Sequence, residues 1–272
     1  MLDPVDRLRL RLTSQGYPPA TIYRYTQIAD QFFRFSGGQL TRSNVEAFLA
    51  LKGKSGTYKR WLMYVLKALF TATETAWPLT RREVPRLSQA SRPFLTVQMM
   101  QDLLKLSEEN LLDHALLRIA VSTGMRRKEL TRIRLGDYNP PVLLCRLAKG
   151  EDIKPRTLPL KTCAAVDKYL VSRPLNLLIP LNPLFLTPRG QAITTEYLNA
   201  MAKKYQKALG WPSGMALHAV RRGFVTMMYE NGFRERELQE LMGWKTPTMP
   251  AVYIRLVPGQ LDEKAKKVVE GF

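Results

Sequence analysis

Three short motifs in this chain combine residue types that can act on a phosphodiester. His218 and Arg221 lie three positions apart, on one face of a predicted helix. Arg126 and Glu129 have the same spacing, so the carboxylate can hold the guanidinium in a fixed orientation. Tyr253 follows a glycine-terminated helix and a short polar turn, and is placed on a new helix. A tyrosine can attack phosphorus while arginines offset the charge that builds there, so the motifs favour nucleophilic chemistry at phosphate.

Such a reaction needs a nucleophile, charge compensation for the transition state and an acid for the leaving oxygen. A phenol with a pKa of about 10 is a weak nucleophile at neutral pH, so nearby cations and a base must assist it. Two arginines that fork onto the non-bridging oxygens can replace a divalent metal. No carboxylates are clustered at a spacing suited to magnesium, which argues against a metal-dependent nuclease or transposase. We therefore expect neither a metal nor another cofactor.

The charge of the chain points to a polyanionic partner. The formal net charge is +19 over 272 residues, and the sequence pI is about 10.1. Residues 1–100 hold 15 Lys and Arg against 6 Asp and Glu, and residues 101–272 hold 27 against 17. Both halves therefore carry an excess of positive charge. Double-stranded DNA is the leading candidate, and both halves are expected to contact it.

Other sequence features point to a chain that works inside the cell. The two cysteines, Cys145 and Cys163, are expected to be buried reduced thiols, since no CxxC or Cys/His cluster suggests zinc. Charged residues interrupt any apolar signal segment at the N-terminus, and no apolar run reaches the roughly 20 residues that span a bilayer. We expect a cytoplasmic, nucleoid-associated protein that does not contact a membrane.

Residues 1–80 are predicted to form four helices. The apolar spacing places them at 3–14, from Pro18-Pro19 onward, at 43–51 and at 55–76. Ser43 and Glu46 are placed as a capping box for the third helix. The entry to the fourth helix combines glycines, hydroxyls, cations and free amides, a combination that can meet phosphates. Together with the second helix it supplies the candidate DNA contacts Thr21, Arg24, Lys52, Lys54, Ser55, Thr57, Lys59 and Arg60.

The rest of the chain is predicted to be a linker followed by a mixed domain. Residues 81–95 are rich in proline and arginine and lack a helical period, which is typical of a linker. Strands are expected at 142–148 and 156–160, with Pro159 favouring an edge strand. Helices are expected around these strands, at 96–106, 113–122, 126–133, 161–172, 194–209, 217–231 and 234–242, followed by the tyrosine helix and a terminal helix near 260–270.

The ordered set Thr123-Gly124-Met125-Arg126, His218-Ala219-Val220-Arg221 and Trp244 followed nine residues later by Tyr253 resembles the tyrosine recombinases, the Cre, Xer and phage-integrase family. The resemblance covers nearly the whole chain. It implies a mainly α fold with a small β-sheet in the catalytic domain. It also implies a helical core-binding domain at 1–80, a linker at 81–95 and a catalytic domain with a C-terminal tail helix at 96–272.

The resemblance also assigns roles to residues. Arg126 and Arg221 would clamp the phosphate, with Glu129 in support, and His218 would assist proton transfer. Tyr253 would be the nucleophile that forms a covalent 3′-phosphotyrosyl bond. Lys149 in the β-turn would protonate the leaving oxygen, although Lys154 nearby keeps that choice open. Trp244 stands where many members have a second histidine, and its indole N–H can still donate to a phosphate oxygen.

The resemblance implies a site-specific recombinase that works as a dimer on one DNA site and a homotetramer on two, with C-terminal helix exchange between protomers. The short N-terminus favours a simple Xer- or Cre-like enzyme over one with an added arm-binding domain. One alternative is a DNA-binding protein of the same fold without activity, against which the complete residue set argues. A type IB topoisomerase is another, against which the N-terminal helical domain and the terminal helix argue. Dimer resolution and mobile-element integration or excision are both left open.

Overall fold

The computed structural model describes residues 2–85, 93–146, 153–173, 179–215, 217–244 and 246. The chain divides into two compact units, Met1–Ser91 and Arg92–Phe272. Each unit encloses its own apolar core. Helices dominate both units, and a small sheet lies in the second. This architecture confirms the predicted fold class, while the predicted tyrosine helix and terminal helix lie outside the described residues.

The first unit is a helical bundle whose core is rich in phenylalanine and leucine. Its helices are α1 (Pro4–Ser14), α2 (Pro19–Phe35), α3 (Arg42–Lys52) and α4 (Gly56–Ala72). Phe32 from α2, Phe48 from α3 and Phe70 from α4 are almost fully buried, and the Phe32 ring meets both of the others. α4 places Leu62, Leu66 and Leu69 on one buried face, as its apolar spacing predicts.

The start of α3 differs from the prediction. The Thr41 hydroxyl accepts a hydrogen bond from the Asn44 backbone N–H at 3.3 Å, so Thr41 is the N-cap and the helix begins at Arg42. The predicted capping box of Ser43 and Glu46 is therefore wrong, because Ser43 already lies inside the first turn. The Glu46 carboxylate instead accepts from the Arg42 Nε–H at 2.8 Å.

α4 is also shorter than predicted. It ends at Ala72 rather than near residue 76, and the Thr73 hydroxyl donates back to the Leu69 carbonyl at 3.0 Å. Glu74 follows with a φ of 56°, a left-handed conformation that no α-helix can continue. At the other end of α4, the Ser55 hydroxyl accepts from the Tyr58 N–H at 3.2 Å and caps the helix.

The second unit packs helices around a three-stranded sheet. Its elements are α5 (Val97–Leu106), α6 (Leu111–Thr123), α7 (Arg127–Leu130), β1 (Tyr138–Asn139), β2 (Val142–Arg146), β3 (Ile153–Thr157), α8 (Leu160–Val171), α9 (Thr195–Ala208), α10 (Leu217–Glu230) and α11 (Glu235–Met242). Leu95, within the predicted linker, is 1 % exposed and packs in the core of this unit. α7 is a single turn where the sequence suggested a helix at 126–133.

The sheet is antiparallel, in the order β1-β2-β3, with β3 at an edge. Cys145 pairs with Lys154, and Leu143 pairs with Arg156. The predicted return strand at 156–160 has the wrong bounds, because β3 begins at Ile153 and ends at Thr157. Pro159 is not a strand residue at all. It stands directly before α8, where a proline fits because the first turn of a helix needs no donor from it.

Both cysteines are buried and free, as expected from the absence of paired motifs. Burial raises the pKa of the Cys145 thiol to about 11, so this thiol stays protonated at neutral pH. Within the described ranges, no helix combines the length and the apolar character needed to span a bilayer.

Candidate active site

The turn between α6 and α7 places the first arginine of the site. Gly124 ends α6 in the left-handed conformation, with a φ of 62°. Arg126 is the N-cap of α7 rather than a residue inside the helix. Its side chain is 29 % exposed and can therefore be reached from outside. The predicted contact between Arg126 and Glu129 is present, although it is made around a cap and not along a helix face.

Glu129 joins the two arginines that the sequence analysis singled out. One carboxylate oxygen accepts from the Arg126 guanidinium at 2.8 Å, and the other accepts from the Arg126 backbone N–H at 2.7 Å. The second oxygen also lies 3.9 Å from the Arg221 guanidinium. The Glu129 side chain is only 1 % exposed. A buried carboxylate between two cations fixes the position of both guanidinium groups.

Arg221 is held from several sides within the second unit. Its side chain is 2 % exposed, and one guanidinium nitrogen donates to the Gly124 carbonyl at 2.6 Å. Another nitrogen donates to the Met242 carbonyl at 3.4 Å, at the end of α11. The guanidinium carbon also lies 5.8 Å from the ring centre of Trp244. Arg221 thus ties α10 to the ends of α6 and α11.

His218 lies one helical turn before Arg221 on α10, and its side chain is exposed. Partial loss of water around the ring lowers its pKa from the ordinary value of 6.5. The positive charges of four arginines lower this pKa further: Arg222, Arg221, Arg127 and Arg126, in that order. The imidazole is therefore neutral at physiological pH and able to accept a proton.

Trp244 lies in an apolar cluster beyond the end of α11. Gly243 ends that helix in the left-handed conformation, with a φ of 62°. Trp244 is 5 % exposed and packs with Phe224, Val225, Leu238 and Met242. Its ring supports the Arg221 guanidinium from this position.

Two of the candidate residues, Lys149 and Tyr253, lie outside the described residues.

Lys154, the second candidate for the acid, lies on β3. Its ammonium group donates to the Glu240 carbonyl at 2.9 Å, close to the C-terminus of α11. A cation at this end of a helix is stabilised by the helix dipole. The contact joins the sheet to the helix that leads to Trp244.

Two further arginines belong to this region, although they are not among the residues predicted from the sequence. Arg156 lies on the same face of β3 as Lys154, and burial lowers its pKa while Cys145 and Glu129 act to raise it. Arg222 follows Arg221 on α10 and is 8 % exposed. The alternation of Lys154 and Arg156 along the strand is a sequence signal that could identify Arg156. No sequence signal identifies Arg222, because its hydrogen-bond partner Pro93 lies far away in the sequence.

The candidate DNA contacts of the first unit lie around the start of α4 and on α2. Lys52, Lys54, Thr57 and Arg24 are exposed, while Thr21, Lys59 and Arg60 are half-buried. Ser55 is exposed, but its hydroxyl oxygen already caps α4. A methyl group at Gly53 would lie 2.4 Å from the Leu49 carbonyl, so only glycine fits where the chain leaves α3.

A cationic groove extends from this surface along α4. It has a volume of about 1020 Å³, and its apolar lining includes Met63, Leu79 and Val84. Cations and aromatic rings also line it, namely Arg60, Tyr64, Lys67, Trp77, Arg81 and Arg82. We call this feature the α4 groove. Lys67, Arg81 and Arg82 are not among the DNA contacts predicted from the sequence, and the last two lie in the predicted linker.

The described part of the second unit gathers positive charge at one place. Arg126 and Arg221 are locked around Glu129, and a neutral imidazole stands nearby. Such an arrangement can stabilise negative charge that builds on a phosphate without reorganising. Among the described residues, no group of His, Cys, Asp and Glu is arranged to hold a metal ion.

Comparison with known proteins identifies the family. The phage integrase family model matches residues 93–259, which is more than half of the chain. The chain therefore belongs to the phage integrase family.

Relatives of this chain include proteins named tyrosine recombinase. Tyrosine recombinase XerC 2 of Ralstonia nicotianae is 28 % identical over 233 residues, covering 82 % of this chain and 64 % of the relative. Tyrosine recombinase XerC of Herpetosiphon aurantiacus is 29 % identical over 264 residues, covering 88 % and 85 %. The chain thus spans somewhat less than two thirds of the first relative and most of the second.

A solved structure shows the same fold. The Tn1549 transposon integrase in complex with circular intermediate DNA matches with a TM-score of 0.78 at 17 % identity. The match covers 98 % of this chain and 100 % of that chain.

Proposed function

We propose that this chain is a site-specific DNA recombinase that cuts and rejoins strands through a covalent 3′-phosphotyrosyl intermediate. The observation that carries the proposal is the pairing of Arg126 and Arg221 around the buried Glu129 carboxylate. Two fixed guanidinium groups match the charge that develops on a phosphate under attack. Family membership and the names of the two relatives support this function.

In the proposed reaction the Tyr253 oxygen attacks the scissile phosphorus. A bond forms between that oxygen and phosphorus, and the bond from phosphorus to the 5′-oxygen breaks. His218 accepts the phenol proton, because its imidazole is neutral at physiological pH. Lys149 gives a proton to the leaving 5′-oxygen. Arg126 and Arg221 hold the non-bridging oxygens, and Trp244 supports Arg221 from the apolar cluster. Religation reverses these steps without ATP.

The substrate in this proposal is double-stranded DNA, which places the reaction at the nucleoid in the cytoplasm. The first unit, as a core-binding domain, would contact phosphates through the start of α4. The net charge of +19 and the DNA-bound transposon integrase of similar fold support this.

We further propose a dimer on one site and a tetramer on two, linked by exchange of the C-terminal segment. Deletion of residues 259–272 tests that link, and should impair assembly on full sites while leaving half-site binding intact.

The decisive experiment compares the wild-type chain with Tyr253→Phe. The substrate is a duplex selected by the purified chain from a random pool, then nicked beside the cleavage position to trap the adduct. Wild-type protein should form a denaturant-resistant protein–DNA adduct, and the variant should form none while binding DNA with nearly unchanged affinity. An adduct formed by the variant would move the nucleophile to another residue. The absence of any adduct with the wild type would favour a DNA-binding protein without activity.

A further inference from the structure

The segment that precedes α5 is bound tightly to α10. The Arg222 Nε–H donates to the Pro93 carbonyl at 2.6 Å, and the Leu95 N–H donates to the Ala219 carbonyl at 3.2 Å. At Gly223 the approach is closer still, since a methyl group there would lie 2.1 Å from the Leu95 carbonyl oxygen. Residues 93–95 therefore lie directly on one side of α10.

The same stretch of α10 carries two proposed active-site residues. Arg221 adjoins Arg222 in the chain, and His218 lies four residues before it, so the side chains of His218 and Arg222 are neighbours on the helix surface. Arg222 is 8 % exposed although it is a cation. Burying a cation costs free energy unless hydrogen bonds or an opposite charge compensate for the lost water. The hydrogen bond to the Pro93 carbonyl is one such compensating contact.

We propose that Arg222 is a positioning residue for strand cleavage. Its hydrogen bond to Pro93 fixes the turn of α10 that carries His218 and Arg221, and its positive charge faces the His218 ring. This inference rests on the proposed function, because it takes His218 to be the group that accepts the Tyr253 proton.

The charges around the His218 ring support this role for Arg222. After the loss of water around the ring, the charge of Arg222 is the largest influence that lowers the pKa of His218. The other charged groups that face the ring are Arg221 on α10 and Arg126 and Arg127 at the start of α7. Arg126 and Arg221 are themselves paired with Glu129, and Arg222 donates to the Pro93 carbonyl.

The protonation state of His218 determines how cleavage should depend on pH. A neutral imidazole is needed to accept the phenol proton, so cleavage should fall as the pH drops through the pKa of His218 in the folded protein. Removing the Arg222 charge raises that pKa. The acid limb of the cleavage profile should therefore move to higher pH, while the rate on the plateau above it changes less.

The test measures single-turnover cleavage against pH on the same nicked duplex, with the whole 272-residue chain. Arg222→Gln removes the charge and keeps a donor, Arg222→Lys keeps the charge, and Arg236→Gln removes an exposed charge from α11 as the control. The chain has only two histidines, so proton NMR can follow the His218 ring in each variant, with His114→Gln to assign the signals. We expect the Gln variant alone to shift both the acid limb and the NMR midpoint upward.

An acid limb and an NMR midpoint that stay in place in folded Arg222→Gln would overturn the inference. If that variant does not fold, the wild-type titration decides, since a His218 midpoint at or above about 6.5 would also overturn it. The NMR midpoint does not depend on cleavage, so it remains readable even if Tyr253→Phe disproves the proposed function. If instead His218→Gln keeps the wild-type acid limb, His218 is not the proton acceptor and the role given to Arg222 fails with it.

Discussion

A single buried carboxylate organises the charges of the candidate site. Glu129 is enclosed, and the two arginines it joins come from segments far apart in the chain. Without it, the two guanidinium groups would lose the negative charge that offsets their mutual repulsion in a poorly solvated place. From sequence spacing, Glu129 is predicted only as a local partner of Arg126. Its contact with Arg221 depends on the packing of α10 beside α6, which sequence spacing does not reveal.

Replacing Glu129 by glutamine should disable cleavage and destabilise the fold. The change keeps the volume but removes the negative charge between two cations. We expect a loss of about 3–5 kcal/mol in the free energy of unfolding, the usual range for breaking a buried pair. Cleavage should fall about 100-fold as the guanidinium groups lose their alignment. Denaturant unfolding and covalent adduct formation measure the two effects.

Glu237→Gln is the matched control. Glu237 accepts from the Arg234 backbone N–H at 2.7 Å in the same cap geometry, but it is exposed. Its loss should cost about 1 kcal/mol and leave cleavage unchanged. Wild-type cleavage by Glu129→Gln would mean that the carboxylate does not align the arginines.

The two lysines can be separated by chemistry. Lys154 is engaged with the Glu240 carbonyl, which holds its ammonium group at the end of α11. We therefore expect Lys149 to be the acid. A substrate with sulfur in place of the scissile 5′-oxygen needs no acid, so it should restore cleavage by Lys149→Ala but not by Arg126→Ala. Lys154→Ala should instead lose about 1 kcal/mol of stability. Rescue of Lys154→Ala by the thio substrate would transfer the acid role to it.

At the level of elements, the site depends on how two helices end. α6 and α11 both end at glycines in the left-handed conformation, Gly124 and Gly243. The carbonyl of Gly124 and that of Met242 both accept from Arg221. These ends therefore do two things at once. They stop the helices, and they leave carbonyls that orient a guanidinium buried between them.

The helix positions could be predicted from the sequence, but several ends could not. Apolar spacing located α4 and α10 because it reflects which face is buried. The true cap of α3 was missed because Thr41 and Ser43 are equally suitable as caps, and only the packing of the helix decides between them. The same limit applies to the site. Arg126 and Glu129 are close in sequence and were paired correctly, whereas the bond from Arg222 to Pro93 joins distant segments.

Gly124→Ala should be strongly destabilising for two separate reasons. The left-handed backbone costs an alanine about 1–2 kcal/mol. The new methyl would also lie 2.6 Å from the Phe224 ring and 3.0 Å from the Met242 methyl, which adds about 1–3 kcal/mol of overpacking. We expect a total loss of about 2–5 kcal/mol in the free energy of unfolding.

Gly210→Ala isolates the first of these costs. Gly210 has a φ of 65°, and a methyl there would meet nothing within 4 Å. Its replacement should therefore cost only the backbone term of about 1–2 kcal/mol. Denaturant unfolding of both variants gives the comparison. Equal losses would show that the packing of α6 against Phe224 and Met242 is looser than these distances imply.

At the scale of the whole molecule, the charge distribution is the main property relevant to DNA. Both units carry an excess of cations, and in the first unit several of these lie at the start of α4 and along the α4 groove. Exposed lysines and arginines add affinity mainly by displacing counterions from DNA, so their contribution falls as salt rises. The salt dependence of binding therefore reports how many phosphates are neutralised and can assign them to one surface or another.

The last prediction concerns the start of α4 as a phosphate-binding surface. Replacing Lys54, Lys59 and Arg60 by alanine should weaken binding by similar factors across DNA sequences. The slope of log affinity against log salt should become shallower by about 0.9 for each phosphate that the variant no longer neutralises. Arg9, Arg11 and Arg34 serve as the control set, because two of them are already paired with neighbouring aspartates on α1 and α2.

Removing the control set changes the net charge equally but should leave the slope nearly as it is in the wild type. A third variant, with Lys67, Arg81 and Arg82 replaced, reports on the α4 groove. A shallower slope in this variant would extend the binding surface along the groove. A slope that changes as much in the control set as at the start of α4 would show that net charge alone drives binding. The start of α4 would then be an ordinary solvated surface.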